Sequence, residues 1–134
     1  MRGHARQHSC DMNGVGKMKD IRLNGRMTFE PKHFEEVAKI CHINAEDARQ
    51  HPGLLEYSFW ANAAKDTIYI HEHYADNDAL INHLNNMNSG AVTRLLELAT
   101  LGTMECAAED CPETRAALEA FGSPVNYYTP LARR

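Results

Sequence analysis

From Asp20 to Phe29 the chain alternates. Ile21, Leu23, Met27 and Phe29 fall on one face, and Arg22, Asn24, Arg26 and Thr28 on the other. A period of two describes a strand with one buried face. After Glu30-Pro31 the period lengthens. Phe34, Val37, Ala38, Cys41, Ala45 and Ala48 recur three or four apart and form one apolar helical stripe. Proline at the start of that helix costs nothing, because the first N–H groups have no partner there. His51-Pro52-Gly53 stops it. Leu55, Tyr57 and Phe59 then share one face of a second strand, with Glu56, Ser58 and Trp60 on the other. Thr67 to Tyr74, rich in β-branched and aromatic residues, is a third. The short connection makes these two an antiparallel hairpin.

Asp76 is placed to cap a helix carrying Leu80, Ile81, Leu84 and Met87. Asn85 to Gly90 interrupts it, and a second helical segment runs from about Ala91 to Ala99. Leu101 to Ala108 reads as a fourth strand. Asp110 and Glu113 flank Pro112 in a capping-box pattern, which opens a helix to Phe121 with Gly122 as its stop. Val125 to Thr129 is a last short strand. The order predicts an α+β fold of the ferredoxin-like, split βαβ type, with a four-stranded antiparallel sheet and helices on one face. The bare face carries Trp60 and Tyr69 beside Arg22, Arg26, His71 and His73. Exposed aromatics point to a partner surface, and a second copy of the chain is the simplest partner.

Composition narrows the function classes. At 134 residues the chain is one domain. Residues 1–18 lack periodicity and read as a flexible N-terminal extension. Residues 19–134 are the folded domain, with a core over 19–109 and a C-terminal helix and strand over 110–134. Lys and Arg number 14 against 18 Asp and Glu, a net charge of −4 without a basic run, which argues against nucleic acid. Nothing approaches the roughly 20 apolar residues of a membrane span, and the N-terminus has no signal-peptide h-region. The expected location is the cytoplasm. Four irregularly spaced cysteines without a CxxC are expected as reduced thiols.

The candidate chemistry centres on two residues. Glu72 shares a strand face with Ile68, Ile70 and Tyr74. A carboxylate on an apolar face must be paired or hold its proton more tightly. His83, on the next helix, lies at the edge of the buried stripe, within reach of Glu72. The two form either an acid–base pair or a structural hydrogen bond pinning helix to sheet. Tyr57, Phe59 and Tyr74 line an aromatic pocket or simply fill the core. Arg94 clamps an anionic group if it faces the cleft, and is otherwise a surface residue. His71 and His73 point the same way, but Glu72 points the other way and no third metal ligand is evident, so they are expected as hydrogen-bonded residues of the open face. His33, His42 and His51 are expected in solvent beside the first helix.

Pro52-Gly53-Leu54-Leu55-Glu56-Tyr57, then Ile68 to Asp76, then Ala79-Leu80 and His83-Leu84, together resemble the antibiotic biosynthesis monooxygenase domain over about residues 19–109. The resemblance implies a dimeric α+β barrel whose two sheets face each other. It implies oxidation of a small aromatic quinol or anthrone by O2 with no cofactor. Glu72 and His83 match positions of the family motif, which places them at proton transfer. The alternatives are an isomerase or lyase acting on a small carbonyl compound or lactone, or a non-catalytic binding or dimerisation module. Two departures stand out. Asn85 to Gly90 lacks the second histidine common in the family, and the single tryptophan, Trp60, is on a strand, unlike that of the haem-degrading branch.

Overall fold

The computed structural model describes residues 19–134, and the extension expected at 1–18 lies outside the described residues. Strand β1 (Ile21–Phe29) leads through a 3-10 turn into α1 (Phe34–Ala48). The hairpin β2 (Leu54–Ala61) and β3 (Thr67–Tyr74) follows. Helices α2 (Asn77–Asn86) and α3 (Ser89–Leu98) come next. Then come β4 (Ala99–Leu101), β5 (Met104–Ala107), α4 (Pro112–Phe121) and β6 (Val125–Tyr128). The sheet runs β2-β3-β1-β5-β6, with β4 also paired to β1. The fold is α+β and ferredoxin-like.

The sheet is wider than the four strands expected. The predicted fourth strand is two short ones, β4 and β5, both antiparallel to β1. They part at Gly102, whose N–H donates to the Arg26 carbonyl at 2.8 Å. Strand β6 adds parallel to β5, so the sheet is mixed. Parallel neighbours need a crossover, and α4 supplies it.

The alternation in β1 is realised, with Ile21, Leu23, Met27 and Phe29 buried. In β2 it fails at one place. A bulge lies between Leu54 and Glu56, so Leu54 opposes Tyr74 and Leu55 turns outward to 59% exposure. One extra residue in a strand reverses the facing of its neighbour.

The apolar side chains form two clusters under the helices. Met27, Phe29, Val37, Ile40, Ile68, Ile70 and Leu95 make one, and Ile21, Leu23, Tyr74, Leu80, Met104 and Leu118 the other. Fully burying each Leu, Ile or Val contributes roughly 1.5–3 kcal/mol. Local signals hold the helix ends. The Asp76 side chain accepts from the Ala79 N–H at 2.9 Å, and Gly122 closes α4 at φ 100°.

Gly53 has a reason to be glycine. Its φ is +80°, and a Cβ there would come within 2.6 Å of the Ala79 Cβ. Its carbonyl accepts from the Ala75 N–H at 2.8 Å, so this turn seats the start of α2 against the end of the α1 connection.

Cys41 and Cys106 are buried free thiols, pushed up to about 12 and about 11 respectively by burial. Cys111 is disulfide-bonded, which departs from the expectation of four reduced thiols. Among the described residues, no helix is long and apolar enough to cross a membrane.

Candidate active site

A cleft opens between sheet and helices, where both core clusters contribute walls. It encloses a cavity of about 90 Å³. Strands β1 and β2 supply Leu23, Met27, Tyr57 and Phe59, and helices α3 and α4 supply Val92, Leu95, Leu96, Leu118 and Phe121. Set into these apolar walls are Glu72, His83 and Asn44.

Glu72 lies mid-strand on β3, opposite Leu23 on one side and Tyr57 on the other. Strand alternation sends it inward with Ile70, and the Tyr74 hydroxyl donates to its Oε1. Burial disfavours the charged form and pushes its carboxyl up to about 7, against the opposing effect of the Tyr74 hydrogen bond. A carboxyl that changes charge near neutral pH in an apolar cleft is suited to taking and returning protons.

His83 projects from α2 and is 2% exposed. Burial, and then the neighbouring His51, lower its imidazole to about 4, so it is neutral at physiological pH. Its Nδ1 lies 2.8 Å from Nδ1 of His51. Tyr57 meets it edge-on, with centroids 4.8 Å apart, and meets Phe59 in the same way at 5.0 Å.

Glu72 and His83 reach the same cleft, but each takes another partner, Tyr74 and His51. Tyr57 and Phe59 are wall residues. Tyr74 is fully buried behind Glu72 and does not line the cleft, so its part is to hold the carboxylate. Arg94 is not brought to the cleft. Its guanidinium is bidentate to Glu36, at 2.6 and 3.0 Å, and also bonds Glu97 at 3.1 Å on the exposed surface. His71 and His73 lie on the opposite sheet face, His71 against Asn24 and His73 against Asp20 at 2.8 Å. Among the described residues, no group of three His, Cys, Asp or Glu is placed to hold a metal.

His51 was expected in solvent and is buried at 8% exposure. Its N–H donates to the Ala48 carbonyl at 2.9 Å, which curls the chain back after α1 and tucks the ring under α2. The signal available in sequence was the i, i+4 spacing of Asp47 and His51. Their side chains approach to 3.7 Å.

The sequence profile of the family described as antibiotic biosynthesis monooxygenase matches residues 20–94, more than half of the chain. The chain belongs to the antibiotic biosynthesis monooxygenase family. The match runs from the start of β1 into α3 and so includes Glu72 and His83. Solved structures of the same fold include MupZ from Pseudomonas fluorescens. It is 20% identical, with 87% of this chain and 95% of that chain covered, at a TM-score of 0.73. A conserved protein from Methanosarcina mazei is 15% identical, with coverage of 69% and 95% and a TM-score of 0.62. A variant of SnoaB, a cofactor-independent oxygenase from Streptomyces nogalater, is 18% identical, with coverage of 66% and 90% and a TM-score of 0.51. At these identities the likeness is one of fold. No curated protein sequence matches the chain.

Proposed function

We propose that this chain is an oxygenase that uses O2, without a cofactor, on a small aromatic substrate of the anthrone or quinol class. The observation that carries the reading is a carboxyl raised to about 7 in the wall of an apolar cleft that a neutral imidazole also lines. Membership of the antibiotic biosynthesis monooxygenase family supports it.

In this reading each residue of the cleft has a role. Leu95, Val92, Tyr57 and Phe59 hold a flat ring system and exclude water. Ionised Glu72 takes the proton from the activated carbon or phenol, and the Tyr74 hydroxyl stabilises it in its charged form. Neutral His83 accepts a hydrogen bond from a ring hydroxyl. The delocalised substrate anion then supplies the electrons that reduce O2. For an anthrone-type methylene, CH2 and O2 become C=O and H2O, so the substrate is the sole reductant. Glu72 returns its proton to the departing hydroxide.

The working unit is a homodimer acting in the cytoplasm, joined through the open sheet face. Trp60 is 60% exposed there and Tyr69 41%. The indole N–H donates to Ser58 Oγ at 2.9 Å, and that hydroxyl donates to Glu56 at 2.9 Å, which holds the ring flat for a partner.

Oxygen uptake with a panel of anthrones and quinols in metal-free, flavin-free buffer tests the reaction. One O2 should be consumed per product, and Glu72→Gln should lower kcat by about 10²–10⁴-fold. Equal rates for wild type, Glu72→Gln and His83→Ala would overturn the assignment. Undiminished anaerobic turnover would favour the isomerase or lyase reading instead.

A further inference from the structure

Three side chains form a line from the cleft to the surface. His83 is on the cleft wall, His51 lies behind it, and Asp47 is last, its side chain 37% exposed. The two Nδ1 atoms are 2.8 Å apart. One of them must carry a hydrogen and the other a lone pair, because two lone pairs or two N–H groups at that distance repel. The Asp47 Oδ2 atom lies 3.7 Å from His51 Nε2. A carboxylate at that distance favours an N–H on Nε2 over a lone pair. In a neutral ring that leaves His51 Nδ1 as the acceptor. His83 must then donate from Nδ1, and its Nε2 keeps the lone pair. No described residue is hydrogen-bonded to that Nε2.

We propose that Asp47 and His51 are positioning residues that fix His83 as the Nδ1–H tautomer, so that the cleft presents an Nε2 acceptor to its ligand. Neither touches the substrate. The consequence for substrate class is specific. The ligand must offer an O–H or N–H donor at that point, such as a phenolic hydroxyl, and a carbonyl or ether oxygen there meets a lone pair and is rejected. When His83 takes a proton at Nε2, the cation is met by the His51 lone pair, with the Asp47 charge behind it. The order resembles a catalytic triad with one imidazole inserted. The inference rests on the reading of His83 as a substrate-facing group.

Nitrogen-15 NMR of the histidine rings in the full chain tests it without turnover. The spectrum is recorded at about pH 6, with His51 and His83 assigned through His51→Phe and His83→Gln. The expected result for wild type is His83 with a protonated Nδ1 and an unprotonated Nε2, and His51 with the reverse. Asp47→Asn, a change at a half-exposed side chain that leaves the core intact, should mix the two tautomers of both rings. A wild-type His83 protonated at Nε2 would overturn the proposal, as would an Asp47→Asn spectrum identical to wild type. Loss of oxygenase activity in the assays above would leave this result standing. The two readings therefore fail separately.

Discussion

The imidazoles of His51 and His83 meet nitrogen to nitrogen, Nδ1 to Nδ1, at 2.8 Å inside the protein. The pair therefore holds at most one proton between those atoms. A doubly charged pair would bring two N–H groups head-on, so the contact opens before both rings become cationic. Helix α2 is joined to the end of the α1 connection through this contact.

Glu72 and His83 give opposite stability profiles. The Glu72 carboxyl rises from 4.5 unfolded to about 7 folded. The native state then holds a proton that the unfolded chain has lost, so stability falls as pH rises from 4.5 to 7. The full effect is roughly 3 kcal/mol. His83 falls from 6.5 to about 4, so its contribution is present above 6.5 and is lost as pH drops towards 4. In wild type the two slopes largely cancel. Glu72→Gln should unmask a rise in stability between pH 4.5 and 6.5, and His83→Asn a fall. Denaturant melts of the three proteins across pH 4–8 read this directly. Parallel profiles would contradict it.

Leu96 lines the cleft and is half exposed, so it marks the mouth. Leu96→Trp should narrow the entrance with little strain on the core. KM for an accepted aromatic substrate should rise at least tenfold, about 1.4 kcal/mol, while the melting temperature stays near wild type.

Arg94 is bound to Glu36 and Glu97 at the surface. Arg94→Ala should change kcat/KM by less than about twofold. Exposed ion pairs are worth little, so stability should stay close to wild type. A large rise in KM would restore Arg94 to the substrate site.

The open sheet face makes a prediction about assembly. Wild type should scatter light as twice the 15.1 kDa chain. Trp60→Glu with Tyr69→Arg should halve that mass, because both aromatics turn charged at the proposed interface. A wild-type monomer at micromolar concentration would remove the dimer.

The strand-and-helix order, the faces of β1 and β3, the Asp76 cap and the Gly122 stop are readable from the sequence alone. Each depends on residues within a turn or two of one another, where period and capping chemistry act. The same alternation is enough to turn Glu72 inward among apolar side chains, which is why its candidacy is visible without coordinates. What the tertiary structure decided were contacts between residues distant in sequence. Arg94 finds Glu36, 58 positions earlier. Leu55 turns out because a bulge shifts the register of β2 against β3. The predicted fourth strand divides because two short segments both find places along β1. His51 leaves solvent because the chain reverses at Pro52-Gly53 and α2 closes over it, 32 residues from its partner His83. No local period encodes that meeting. It follows from how the helices pack on the sheet.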